Sequence, residues 1–167
     1  MDHNPDGTVN DTVRKYISPW IDICWSTETP DPAIVVGVLY KTLGGAYQMG
    51  KVVFDPGLRI LNVSPQAVGM GNCPTNTAYR GTITFANFVP SIDPTSDTLI
   101  ALRIRPVYNG ALIAVSPAQI LPNQGNNIQS VGTAGSNVNR KIVVYQQYRA
   151  PASIFDYVIY SEGSFSH

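Results

Sequence analysis

Apolar and polar positions alternate along much of the chain. The clearest case is Leu99-Ile-Ala-Leu-Arg-Ile-Arg-Pro-Val-Tyr-Asn-Gly-Ala-Leu-Ile-Ala-Val, where Ile100, Leu102 and Ile104 alternate with Ala101, Arg103 and Arg105. Such a two-residue period puts one face of an extended segment on a core and turns two cations the other way. Asn109-Gly110 tolerates the positive φ angles of a two-residue turn, so Leu99 to Val115 is predicted to be a β-hairpin. A second hairpin is predicted from Ala33–Tyr40 and Ala46–Phe54, joined through Gly44-Gly45. Ile17–Trp25 alternates imperfectly and reads as the first strand, with Pro19 confining its start to an edge or bulge. Further strands are predicted at Leu58–Val63, within Ala78–Val89, at Gly125–Val131, Asn137–Tyr148 and Ile154–Tyr160. The intervening Ser64–Thr77, rich in Gly, Pro and Asn, reads as a long surface loop and a place for variable recognition.

About nine short strands separated by turn residues, with no 3.6-residue period, indicate an all-β protein: an antiparallel β-sandwich built from hairpins, with little helix. The length, 167 residues, suits a single domain over 1–167, of which 1–15 is a polar N-terminal segment with a loop or short helical turn near Thr12–Tyr16.

Composition narrows the partners. Only 13% of residues are charged, against about 25% in an ordinary soluble domain, and the formal net charge is zero. No basic field is present to attract a phosphate backbone or an anionic bilayer, so nucleic acid and membrane contact by this fragment are not expected. Nor does any run approach the roughly 18 apolar residues of a membrane-spanning helix.

Catalytic patterns are sparse. Both histidines, His3 and His167, sit at the chain ends, which argues against a His-dependent nucleophilic site, and no nucleophile elbow or phosphate loop occurs. Asp22, Asp55, Asp93, Asp97, Asp156 and Glu162 could furnish a carboxylate pair for glycoside hydrolysis, but nothing in the spacing selects two of them. The chain is not expected to be an enzyme.

Two features carry binding chemistry. Asp2-His-Asn-Pro-Asp-Gly-Thr-Val-Asn places Asp2, Asn4 and Asp6 at the first, third and fifth positions of a calcium loop, with Gly7 at its sharp turn. The twelfth position, which needs a bidentate carboxylate, is Val13, and Asp11 could only partly substitute; the plain reading is a solvated turn. Arg103 and Arg105 with Tyr145 and Tyr148 offer planar donors and aromatics to a carbohydrate, although tyrosines in β proteins are commonly half-buried sheet residues. Asn10-Asp-Thr and Asn62-Val-Ser fit the glycosylation acceptor pattern. Cys24 and Cys73 allow one disulfide, whose closed loop would be worth about 4 kcal/mol; two buried thiols are the alternative.

Leu102-Arg-Ile-Arg-Pro-Val-Tyr-Asn-Gly-Ala-Leu-Ile-Ala-Val, followed by Leu121-Pro-Asn-Gln-Gly, Ile128-Gln-Ser-Val-Gly, Asn139-Arg-Lys-Ile-Val-Val-Tyr and Ile154-Phe-Asp-Tyr-Val-Ile-Tyr-Ser, resembles the C-terminal portion of bacterial PilX-like type IV pilus accessory proteins, which are minor pilins. The likeness covers about residues 98–162, and Asp22–Phe54 more loosely; it is one of pattern and order. It implies a non-catalytic structural subunit at the cell surface, assembled with other pilin or filament subunits and anchored in its parent by an N-terminal apolar helix that this sequence lacks. An extracellular ligand-binding module, calcium-dependent or carbohydrate-binding, is the alternative of a different class, and a viral coat or tail subunit is a third.

Overall fold

The computed structural model describes residues 2–4, 8–59, 68–70, 73–74, 76–134 and 138–147. Eleven strands follow one another: β1 (Asp2–His3), β2 (Val9–Asn10), β3 (Trp20–Trp25), β4 (Ala33–Lys41), β5 (Tyr47–Phe54), β6 (Val68–Met70), β7 (Tyr79–Thr84), β8 (Thr98–Val107), β9 (Ile113–Pro117), β10 (Gly125–Ala134) and β11 (Val138–Gln147). A single 3-10 turn, Phe85–Asn87, is the helical content of the described residues. The all-β class therefore holds. The strands form four antiparallel sheets, in the orders β6-β7-β3-β9, β5-β4-β8, β10-β11 and β1-β2, in place of about nine strands in one sandwich. The chain divides into two compact units between Gln124 and Gly125.

In the first unit two sheets share one core. Alternation in β3 turns Ile21, Ile23 and Trp25 inward, where they meet Ile34, Val36, Val38 and Tyr40 of β4, and Val52 and Phe54 of β5. Each such side chain contributes about 1.5–3 kcal/mol by leaving water. The Trp25 ring lies 6.1 Å from Phe54 and 5.6 Å from Tyr79, centroid to centroid. At the middle of β7 the Phe54 ring occupies the space a side chain would need: a Cβ on Gly81 would stand 2.6 Å from it.

The β4–β5 hairpin forms as expected. Gly45 takes φ 86°, its N–H donates to the Thr42 carbonyl at 2.8 Å, and the Thr42 hydroxyl accepts from the Ala46 N–H at 3.1 Å. The predicted hairpin over Leu99–Val115 does not. β8 and β9 are both strands, but β8 pairs with β4 and β9 with β3, so residues 108–112 carry the chain from one sheet to the other. The left-handed backbone falls on Tyr108 (φ 74°) and not on the Asn-Gly pair. Leu112 is then held by Ser26, the residue after β3: Ser26 N–H donates to the Leu112 carbonyl and Leu112 N–H to the Ser26 hydroxyl, each at 3.0 Å.

Two further expectations change. β3 lies between β7 and β9, an interior position, because Pro19 precedes the ladder and only its carbonyl is used, accepting from Phe85 N–H at 3.1 Å. The stretch read as a loop from Ser64 to Thr77 contains β6, whose Val68, Gly69 and Met70 pair with β7. The strand predicted at Leu58–Val63 falls mostly outside the described residues, as does Ile154–Tyr160 entirely. Residues 12–16 form no helical turn.

The second unit is seen as the β10–β11 ladder, ten residue pairs from Gly125↔Gln147 to Ala134↔Val138. Both strands were expected, but the first does not end at Val131: Gly132, Thr133 and Ala134 continue it, opposite Arg140, Asn139 and Val138.

Candidate functional site

The expected site residues separate into those with structural work and those on open surface. At the N-terminus, β1 and β2 pair through Asp2↔Asn10 and His3↔Val9, and Asn4 donates from its amide nitrogen to the Thr8 hydroxyl at 3.0 Å. Asp6 and the Asp2 side chain lie outside the described residues. Asp11, the substitute ligand, is engaged elsewhere: its carboxylate accepts from the Tyr47 hydroxyl and, at 3.1 Å, from Lys41 Nζ. No group of three metal-ligating side chains occurs among the described residues. The Asn10 amide oxygen accepts from the N–H and hydroxyl of Thr12 and from Val13 N–H, closing an Asx turn at the first glycosylation pattern. Asn62 lies outside the described residues.

The Tyr47 hydroxyl, and after it Lys41, hold the Asp11 carboxyl below its ordinary 3.8. A depressed carboxyl contributes stability that is present above its unfolded value and lost as pH falls through the folded one. The Asp11→Asn variant should therefore fall slightly behind the wild type above about pH 4, and the gap should close as pH falls below that. Carboxyl NMR titration should place the Asp11 midpoint below that of a free aspartate; an unshifted midpoint would refute the contact.

The described members of the six carboxylates, Asp22, Asp55, Asp93 and Asp97, make local structural contacts. Asp55, 1% exposed, accepts from the N–H groups of Gly57 and Arg59 and from the Arg59 guanidinium at 2.8 Å. That guanidinium also donates to the Asp31 carbonyl and lies 4.1 Å from the Tyr108 ring centroid. Asp93 and Asp97 organise the connector before β8, Asp97 accepting from Leu43 N–H and Asp93 N–H, and Asp93 from Thr95 and Ser96. The Thr95 hydroxyl and N–H push the Asp93 carboxyl below its usual range. Asp22 joins Arg80 and Thr82 on the sheet face away from the core. Asp156 and Glu162 lie outside the described residues.

Cys24 and Cys73 form a disulfide, with Cα atoms 5.8 Å apart. It ties the buried middle of β3 to the segment that follows β6. Arg103 and Arg105 stand opposite Gly37 and Val35 of β4, Arg105 exposed and Arg103 half-buried. Tyr145 is 78% exposed on β11, and Tyr148 lies outside the described residues.

Two surfaces were not visible in the sequence. The first is an apolar cleft of about 250 Å³ in the first unit, where Ile21 and Val115 of one sheet face Val38, Leu102 and Ile104 of the other, with Tyr16 at the side. Its walls come from both sheets and include residues of β8 and β9, which do not pair with each other. The second is the β10–β11 ladder. Its register sets Ile128 beside Val144 and Ser130 beside Ile142 on one face, and Asn127–Tyr145, Gln129–Val143 and Val131–Lys141 on the other. Ile128, Ile142 and Val144 are 51%, 62% and 50% exposed. No helix among the described residues is long and apolar enough to cross a membrane.

Comparison with protein-family models, curated proteins and solved structures returns no match. The fold and surfaces define an all-β protein, and its function rests on their chemistry.

Proposed function

We propose that the chain is a non-catalytic structural subunit of a bacterial surface filament of the type IV pilus kind, a minor pilin or pilus accessory subunit working outside the cell. The observation that carries this reading is the β10–β11 ladder. An isolated two-stranded ribbon is marginal in water and gains stability when a third strand, a helix or another surface covers it. Here ten paired rows present Ile128, Ile142 and Val144 on one face, and a filament supplies a covering surface in its neighbouring subunits. The segments that resemble PilX-like proteins include β8, β9 and both strands of this ladder. The Cys24–Cys73 disulfide suits an oxidising compartment.

The test is assembly. The Ile142→Asp, Val144→Asp double variant should keep the melting transition of the residues 1–124 unit yet disappear from filaments sheared off the producing cells, as read by antibody labelling. Normal incorporation of the variant, or a wild-type chain absent from the sheared fraction, overturns the reading.

A further inference from the structure

On the side of β3 away from the core, the alternation that buries Ile21, Ile23 and Trp25 presents Trp20 and Asp22. The antiparallel register with β7 sets Thr84 opposite Trp20 and Thr82 opposite Asp22, with Arg80 next along the same face. These five side chains and Pro19 enclose a shallow concavity of about 270 Å³. Asp22 forms its floor at 5% exposure, accepting from the Thr82 hydroxyl at 2.5 Å and from Arg80 Nη2. The Arg80 side chain remains 34% exposed and Trp20 36%.

The geometry points to a binding site for a neutral polyhydroxylated ring, a pyranose sugar. Three observations select that class. The Trp20 indole is a flat, partly open apolar surface of the kind that packs against the C–H face of a sugar ring. Beside it stand groups that exchange hydrogen bonds with hydroxyls: the Arg80 guanidinium with five N–H donors, of which Asp22 engages the Nη2 end, the Thr84 hydroxyl, which can donate and accept, and the Thr82 hydroxyl, which gives its hydrogen to Asp22 and keeps its lone pairs to accept. Charge decides against an anion, because the Asp22 carboxylate neutralises Arg80 at contact distance and leaves little net field for a phosphate or sulfate.

The platform is also rigid. Asp22 and Thr82 are paired at the centre of a six-residue ladder, and β9 flanks β3 on its other side with Ser116 opposite Asp22. The disulfide at Cys24 pins the same strand two residues on. Side chains held this way lose little freedom when a ligand arrives. An ion pair buried at its carboxylate end is weak support for a fold, since apolar residues of similar volume often stabilise as well; a ligand that uses the guanidinium and the indole together gives this pair a role.

The experiment is an NMR titration of the full chain with three probes, methyl α-D-glucopyranoside, methyl β-D-galactopyranoside and N-acetyl-D-glucosamine, each to about 50 mM, a range that covers millimolar dissociation constants. At least one probe should shift the Trp20 indole N–H and the amides of residues 80–84 saturably. Trp20→Ala should weaken that response at least tenfold while the melting temperature stays near that of the wild type, and Trp20→Phe should retain part of it. Thr84→Val, which keeps the shape and removes a hydroxyl, should also weaken it. The proposal is overturned if no probe gives a saturable shift, if the shift survives unchanged in Trp20→Ala, or if sodium phosphate shifts the same signals at lower concentration than any sugar.

Discussion

Replacing Trp25 by alanine is expected to cost the first unit about 3–5 kcal/mol and to lower its melting temperature by roughly 10–20 °C. Trp25 is fully buried between the two sheets, against Phe54 and Tyr79. Its indole N–H donates to the Pro32 carbonyl at 3.0 Å in a buried bond. Truncation removes the largest side chain of the core, leaves a cavity that the paired strands cannot close, and strands a buried carbonyl without its donor. Trp25→Phe separates these contributions, since it keeps most of the apolar volume and loses the hydrogen bond; its cost should be about 1–3 kcal/mol. Urea denaturation followed by circular dichroism measures both, and a Trp25→Ala loss below about 1 kcal/mol would contradict this packing.

The second large effect concerns the covalent tie. Removing the Cys24–Cys73 bond frees a segment with a sequence separation of 49, which the chain-entropy relation values at about 4 kcal/mol. The freed segment includes β4, β5 and β6, the first two of which supply one wall of the core. Cys24→Ala, Cys73→Ala should therefore melt well below the oxidised wild type. Dithiothreitol should bring the wild type down by a similar amount and leave the double variant unmoved. A wild type indifferent to reductant would show that the two thiols are not joined in solution.

Much of the fold was legible in the sequence, and the failures have a common cause. Strands appear in the alternation of their own side chains, so β3, β4, β5, β7, β8, β9, β10 and β11 were all anticipated within a few residues. The partner of a strand does not appear there. Asn109-Gly110 marks a change of direction correctly, yet whether Ile113 turns back on β8 or crosses to β3 is decided by Ser26 and Trp25, nearly ninety positions earlier. The β4–β5 hairpin was readable because its partners are adjacent and Gly45 takes the backbone angle the turn requires. β6 was hidden because its three residues, Val68, Gly69 and Met70, are too few for a period, and their pairing with β7 comes from tertiary context.

The same limit governs the sites. Asp22 entered the sequence reading as one carboxylate among six, with nothing to distinguish it. Only the register of β3 against β7 brings it to Arg80, 58 positions away, and sets Trp20 beside Thr84. The exposure of Ile128, Ile142 and Val144 was equally invisible, because alternation predicts which residues share a face and does not say what covers that face.

The contrast between the two units bears on the order in which they form. Partners in β10 and β11 are close in sequence, Ala134 facing Val138 four positions on, whereas Trp25 must find Ile113, 88 positions away. A local ribbon closes in about 1–10 μs, while sheets assembled from distant segments take milliseconds to seconds. On this timing the ladder's strands meet before the core of the first unit closes. Until it is covered, the face that carries Ile128, Ile142 and Val144 is of the kind that favours association between chains. Arg140 and Lys141, near the start of β11, place two like charges on the ribbon, the kind of residue that opposes such association.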